Sequence, residues 1–166
     1  MALYVEAKAS RDRMVVLRKE VEAFVNPGSL STAAHIPRHT PVHVLGPGLK
    51  GTERATVKAA EKYGGCFDRL IDLTRMTFVC STPAVAMTVI TFLRDHNRWT
   101  IVRGKDRLNP VYDASSTGGY RDVLLNARDE HSGHIVEIQV TFQAFYDIKS
   151  KGGGHKVYKL ARLLKP

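Results

Sequence analysis

The sequence is poor in cysteine: Cys66 and Cys80 are the only two among its 166 residues. Two thiols are too few for a disulfide framework and cannot build a zinc site by themselves, so we expect both to be reduced. The sequence also lacks an apolar run close to the ~20 residues that a membrane-spanning helix needs. Its first residues do not contain the apolar core of a secretory signal. We therefore expect a cytoplasmic protein without a membrane segment.

Acidic residues are scarce relative to basic ones. Sixteen Asp and Glu stand against 25 Lys and Arg, which gives a formal net charge of +9 and a pI near 9.8. Such a surface attracts the phosphates of free nucleotides, RNA or DNA, but the charge alone does not distinguish these partners. A basic surface without any such partner would have the same composition. Hydrophobic residues make up 43 % of the chain, which is enough for a globular core.

The order of apolar patterns predicts an α+β domain around one mixed sheet, with the elements α, α, β, α, β, β, β, α. The predicted helices cover residues 5–25, 50–63, a segment from Pro83 to about Asp95, and 156–164. The predicted strands cover residues 73–80, 99–103, 120–128 and 135–142, and the last two form an antiparallel hairpin. Residues 26–49 contain four prolines and are predicted to be an irregular linker. We therefore divide the chain into an N-terminal helix with a Pro-rich linker, 1–49, and an α+β domain, 50–166.

Two carboxylates stand where strand packing does not favour them. Glu137 lies in the middle of a predicted strand, on the face that it shares with Gln139 and Thr141. Asp72 stands immediately before another predicted strand. Carboxylates on neighbouring strands can hold Mg²⁺ against phosphate oxygens, because a hard cation prefers oxygen ligands. A solvent-facing strand and an aspartate that caps a strand would use the same residue types.

Basic side chains accompany these carboxylates along the chain. Lys50, Arg54 and Lys58 recur at intervals of four and share one face of the second predicted helix. Arg103 and Lys105 stand at the end of a strand. Phosphate sites need such groups, although a solvated helix face has the same pattern.

Five segments follow one another in a fixed order. They are Lys50 to Lys58, Asp72 to Val79, Lys105-Asp106, Gly119-Tyr120-Arg121, and Val136 to Val140 followed by His155 to Lys159. In this order the chain resembles, from about residue 50 to 159, the synthetase domain of the RelA/SpoT family, a branch of the nucleotidyltransferase superfamily. The resemblance implies a nucleotidyltransferase-like fold with a central mixed sheet flanked by helices. It also implies transfer of pyrophosphate from ATP to a ribose 3′-hydroxyl of GDP or GTP.

The same resemblance implies a role for individual residues. Asp72 and Glu137 would hold Mg²⁺, and Glu137 would also deprotonate the attacking hydroxyl. Tyr120 would stack on the acceptor base. The resemblance also implies nucleotide contacts for Lys50, Lys58, Lys105, Gln139, His155 and Lys159. We add the arginines near these segments, Arg54, Arg75, Arg103 and Arg121, as candidate nucleotide-binding residues.

Four positions depart from the family pattern. Gly48 and Thr77 stand where the family has arginines, and Asp122 and Leu124 stand where it favours a serine and a histidine. An added carboxylate near the acceptor would disfavour a phosphate-rich group or would recognise an amino group.

Three functions therefore remain open. The first is a Mg²⁺-dependent pyrophosphokinase that makes an alarmone such as ppGpp. The second is a toxin-like relative that transfers pyrophosphate to tRNA or to an adenine nucleotide, which the net charge of +9 would suit. The third is a nucleotide- or RNA-binding module that has lost catalysis, which the four departures favour.

Overall fold

The computed structural model describes residues 2–26 and 41–150, and this part of the chain has an α+β architecture. Its helices are α1 (Ala2–Val25), α2 (Thr52–Tyr63), α3 (Pro83–Arg94) and α4 (Gln143–Ser150). Its strands are β1 (Val42–Leu49), β2 (Thr74–Cys80), β3 (Trp99–Asp106), β4 (Val123–Asp129) and β5 (Ile135–Phe142). They form one sheet in the order β1-β2-β5-β4-β3. The predicted fold class is confirmed.

The sheet is mixed because one pair of neighbouring strands is parallel. Strands β2 and β5 run parallel, with Arg75 opposite Glu137 and Thr77 opposite Gln139. The other neighbours, β1 with β2, β5 with β4, and β4 with β3, are antiparallel. The predicted hairpin of β4 and β5 is therefore confirmed, and β5 becomes the central strand of the sheet.

Helices α1 and α3 cover one face of this sheet. Met14 and Leu17 of α1 and Val89 of α3 are fully buried against Phe78 and Ile138 of the central strands. The start of α3 follows from its sequence, since the hydroxyl of Thr82 accepts a hydrogen bond from the backbone N–H of Val85 and proline occupies the first turn. With α1 and α3 on one side, the alternate side chains of β2, β4 and β5 point to the other.

A second, smaller core holds α2 beside the beginning of β2. Ala55 and Ala59 of α2 pack with Leu70, Leu73 and the α1 residue Ala7. The helix ends at Gly64, whose φ of 59° is the left-handed conformation that glycine adopts readily. This packing places the basic face of α2 near Asp72.

The expectation of an irregular linker is wrong for residues 42–49, which form strand β1. Prolines were the reason for that expectation, but an edge strand tolerates proline because the N–H on its open side needs no partner. The register shifts between Leu45 and Gly48, and Pro47 lies in this bulge. The sheet therefore includes residues on both sides of position 49.

Helix α4 was not predicted. It follows β5 directly, and its apolar residues Phe145 and Ile148 continue a spacing of three that begins at Phe142. The helix predicted over 156–164 lies outside the described residues. Two strand ends also differ from expectation, since β3 extends to Asp106 and β4 begins only at Val123. No helix in the described ranges is both long and apolar enough to cross a membrane.

Candidate functional site

The sheet face opposite α1 and α3 carries a row of polar side chains. Arg75 and Thr77 of β2 lie directly beside Glu137 and Gln139 of β5 in the parallel register. Asn126 of β4 lies on the other side of Glu137. Strand alternation places these side chains on one face, as the sequence predicts for Glu137 and Gln139.

Asp72 stands at the start of β2 and is 7 % exposed. Its Oδ2 accepts from Lys50 Nζ at 2.6 Å and from Lys58 Nζ at 2.8 Å. Burial by itself raises the pKa of Asp72, but the hydrogen bonds from the two ammonium groups outweigh it, so the pKa lies below its usual value. Asp72 is therefore ionised at neutral pH.

The second carboxylate, Glu137, lies close enough to feel the charge of the first. Burial raises the pKa of Glu137, and the negative charge of Asp72 raises it further, while Arg75 and Lys58 act in the opposite direction. A cation between the two carboxylates would relieve this repulsion.

The available oxygens fit a magnesium ion. Asp72 Oδ1 is buried and has no hydrogen-bond partner among the described residues. Within residues 2–26 and 41–150, no group of three or more His, Cys, Asp and Glu side chains is arranged to hold a metal ion. Mg²⁺ commonly binds one or two carboxylates and takes its other oxygens from water and phosphate. Asp72 and Glu137 could therefore hold Mg²⁺ in the presence of a phosphorylated ligand.

A basic pocket opens beside this pair, with a volume of about 420 Å³. Lys50, Arg54 and Arg75 contribute three positive charges against the one negative charge of Glu53, and the first turn of α2 forms part of its wall. The N-cap residue of α2 is Gly51, which has no side chain that could bond the free N–H groups of this turn. Basic side chains at a helix N-terminus form a suitable environment for phosphate groups.

Gln139 connects Glu137 to its surroundings. Its Nε2 donates to Glu137 Oε1 at 3.3 Å. Its Oε1 accepts from Thr77 Oγ1 at 3.2 Å and from Lys149 Nζ at 3.1 Å. Lys149 belongs to α4, so this helix reaches the polar face of the sheet.

Tyr120 stands at the end of this face in a second buried network. Its hydroxyl donates to Asp122 Oδ2 at 2.9 Å. Arg107 donates to Asp122 Oδ1 from Nε at 2.7 Å and from Nη2 at 2.6 Å. Lys149 Nζ lies 4.6 Å from the centre of the Tyr120 ring. Burial and the charge of Asp122 raise the pKa of Tyr120, so its phenol stays protonated.

Asp122 therefore differs from what the sequence suggests. We expected an added carboxylate that repels or reads an acceptor, but its side chain is 0 % exposed and both oxygens have partners inside the protein. It neutralises Arg107 and holds the Tyr120 hydroxyl.

Other predicted site residues lie farther away. Arg103 and Lys105 of β3 are exposed and lie opposite Asn126 and Leu124 of β4, so a whole strand separates them from β5. Arg121 donates to the backbone carbonyls of the loop at positions 107, 109 and 112. His155 and Lys159 lie outside the described residues.

Sequence reasoning missed two groups at this site. Lys149 was missed because α4 was missed, although the spacing of Phe142, Phe145 and Ile148 was a visible helical signal. The pair of Asp122 with Arg107 was missed because it joins two chain segments across a loop. Only the position of Asp122 on the face of Tyr120 hinted at that contact.

No protein-family model matches this sequence, and no curated protein matches it. Solved structures do match. Small alarmone synthetase 2 from Bacillus subtilis has a TM-score of 0.68 at 20 % identity, covering 99 % of this chain and 82 % of that chain. Small alarmone synthetase 1 from Bacillus subtilis, bound to its product pppGpp, has a TM-score of 0.66 at 14 % identity, covering 95 % and 86 %.

A third structure is the type VI effector Tas1 in complex with its immunity protein. It has a TM-score of 0.64 at 18 % identity, covering 99 % of this chain and 84 % of that chain. These likenesses establish that the chain has the fold of the small alarmone synthetases, which the resemblance to RelA/SpoT synthetase domains predicts.

Proposed function

We propose that this protein is a Mg²⁺-dependent pyrophosphokinase that transfers pyrophosphate from ATP to the 3′-hydroxyl of a guanine nucleotide. The observation that carries the proposal is the proximity of Asp72, two residues before β2, to Glu137 of β5, with an unpartnered oxygen on Asp72 and a basic pocket nearby. A fold shared with alarmone synthetases supports it, one of them bound to pppGpp. We place the activity in the cytoplasm, as the sequence suggests.

The basic pocket would bind the triphosphate of ATP. Lys50, Arg54 and Arg75 line it together with Glu53, and the first turn of α2, a helix N-terminus that favours anions, forms part of its wall. Asp72 and Glu137 would hold Mg²⁺, which would supply positive charge against the phosphate groups. Lys58 would contribute a further positive charge beside Asp72.

The transfer itself requires one bond to form and one to break. The acceptor oxygen attacks the β-phosphorus of ATP, and the bond from this phosphorus to the oxygen bridging to the α-phosphate breaks. AMP leaves with that bonding electron pair, while the proton of the acceptor hydroxyl passes to the carboxylate of Glu137. The protein contributes mainly position and electrostatic stabilisation, since phosphoryl transfer needs little covalent help.

The acceptor would lie on the side of Glu137 that leads to Tyr120. Asp122 holds the phenol hydroxyl, and Tyr120 is 7 % exposed, so little of the ring is open for the base stacking that the resemblance implies. The proposed preference for a guanine base rests on the resemblance of the Gly119-Tyr120-Arg121 segment to the RelA/SpoT synthetase domains.

An RNA acceptor is the second candidate. Arg103 and Lys105 extend the polar face outward on the exposed strand β3, and the whole chain carries a net charge of +9. A phosphate backbone could follow such a track, whereas a free nucleotide is too short to use it.

The test supplies γ-labelled ATP, Mg²⁺ and one acceptor at a time: GDP, GTP, ADP or tRNA. The proposal expects label on a guanine nucleotide, equimolar AMP, and loss of transfer in Glu137→Gln. Glu6→Gln, an exposed change on α1, is the matched control and should behave as the wild type. Label on tRNA would establish the second candidate instead, and ATP binding without transfer to any acceptor would refute both.

A further inference from the structure

Lys149 lies at the candidate site but has no role in the proposed reaction. It lies on α4, which begins one residue after β5 ends, and it reaches back to the same strand. Its ammonium group contacts Gln139 on β5 and the face of the Tyr120 ring. Burial lowers the pKa of Lys149, while the charges of Asp122 and Glu137 act in the opposite direction. Lys149 is half-buried, and its two contacts place its charge between Gln139 and Tyr120.

The hydrogen bonds of Gln139 indicate what Lys149 does at this position. A side-chain amide can rotate by half a turn and exchange its oxygen with its nitrogen. The ammonium group of Lys149 can only donate, so it requires the amide oxygen to face it. The Nε2 group then points toward Glu137, where it donates to Oε1. The hydroxyl of Thr77 cannot impose this choice, because a hydroxyl donates or accepts equally well.

We propose that Lys149 is a positioning residue, which fixes the amide of Gln139 and through it the carboxylate of Glu137. The ammonium group selects one of two amide orientations, and the selected one places a donor against the carboxylate. The reversed orientation would place the amide oxygen against Glu137 and push the carboxylate away. The kinetic consequence rests on the proposed function, whereas the orientation of the amide does not.

Kinetics give the first test, on the full chain with the acceptor found active. Lys149→Met should lower kcat by about 10- to 100-fold, the usual effect of losing a hydrogen bond that orients a charged group. The KM for ATP should change by less than about threefold, because Lys149 lies on the acceptor side. Lys149→Arg keeps a donor-only cation and should recover most of the rate. Lys19→Met, an exposed change on α1, controls for the loss of one positive charge.

Thr77→Val distinguishes the effects of the two groups that donate to Gln139 Oε1, the hydroxyl of Thr77 and the ammonium group of Lys149. If Lys149 alone sets the amide, this variant should keep kcat within about threefold of the wild type. An unchanged kcat in Lys149→Met, or a loss confined to KM, would overturn the proposal. A large loss in Thr77→Val with none in Lys149→Met would assign the positioning to the hydroxyl and would overturn it as well.

Nuclear magnetic resonance gives a test that needs no activity. The side-chain NH₂ signals of Gln139, assigned with Gln139→Leu, should show one set of shifts and slow hydrogen exchange in the wild type. In Lys149→Met and in the polar Lys149→Gln they should double or lose protection, while Lys149→Arg keeps them. Unchanged NH₂ signals in both would refute the positioning residue. If no acceptor is labelled, the proposed function fails while this measurement still decides the role of Lys149.

Discussion

The buried ion pair of Asp122 and Arg107 can be tested by removing one partner. The side chain of Asp122 is 0 % exposed and that of Arg107 is 19 % exposed. Asp122→Leu leaves the guanidinium and the Tyr120 hydroxyl without their acceptor. Breaking a buried pair in this way costs about 3–5 kcal/mol, and the partial exposure of Arg107 favours the lower end of that range. We expect the free energy of unfolding to fall by about 3 kcal/mol.

Urea unfolding followed by circular dichroism measures this change, and a double-mutant cycle identifies its cause. Arg107→Met alone should also destabilise the fold, because it leaves the Asp122 carboxylate buried and unpaired. The double variant, with both charges replaced by apolar groups, should lose at least about 2 kcal/mol less than the sum of the single variants. Asp122→Asn serves as a shape-matched variant that can still accept the Tyr120 hydroxyl.

Two results would refute this reasoning. One is a cost below about 1 kcal/mol for Asp122→Leu, which would be that of an ordinary surface change. The other is strict additivity in the double variant. Either result would favour a carboxylate at Asp122 that contacts the acceptor. Asp122→Leu would then be expected to change the KM for the acceptor.

Three further predictions concern stability, each measured by urea unfolding. Burial by itself raises the pKa of Asp129, but hydrogen bonds from Arg13, Ser10 and Ser132 outweigh it and lower the pKa. The charged form of Asp129 therefore stabilises the fold above the unfolded pKa of about 3.9. This stabilisation is lost as the pH falls through the lower pKa of the folded state. Asp129→Asn should thus destabilise at pH 7, and a difference that does not shrink on acidification would contradict this. Phe78→Ala should cost about 3–5 kcal/mol, because the ring is fully buried between the two helices and the sheet; less than about 2 kcal/mol would contradict its core position. Gly46→Ala should lower the free energy of unfolding by more than about 1 kcal/mol, because φ is +90° and a Cβ would lie 3.0 Å from the Arg75 carbonyl oxygen. Gly48→Ala is the control and should be nearly neutral, because the space around its Cβ is open. Equal costs for the two variants would contradict this.

Much of the polar face follows from local rules. Strand alternation places Glu137 and Gln139 on one side of β5, and helical spacing places Arg54 and Lys58 on one face of α2, whereas Lys50, predicted to share that face, precedes the helix. These rules depend on neighbours in the chain, so the sequence contains them. The resemblance to RelA/SpoT synthetase domains added the expectation that the two carboxylates belong to one site.

The rest depends on contacts between distant segments. Strand β1 contains Pro47, and its edge position in the sheet, invisible in the sequence, is what makes that proline tolerable. Lys149 enters the site only because α4 folds back on β5. Arg107 neutralises Asp122 only because a loop brings the two together. The sequence does not show this contact, so it predicts a carboxylate that faces the acceptor.

Binding of AMPCPP, an ATP analogue resistant to transfer at the β-phosphorus, tests the central claim most directly. Isothermal titration calorimetry would compare the wild type with Asp72→Asn, each in Mg²⁺ and in EDTA. We predict that Mg²⁺ tightens binding to the wild type by at least about tenfold, and that this gain disappears in Asp72→Asn. In EDTA the variant should bind no more weakly than the wild type, because Lys50 and Lys58 are released from the carboxylate. An equal Mg²⁺ effect in both proteins would contradict a magnesium site at Asp72 and Glu137.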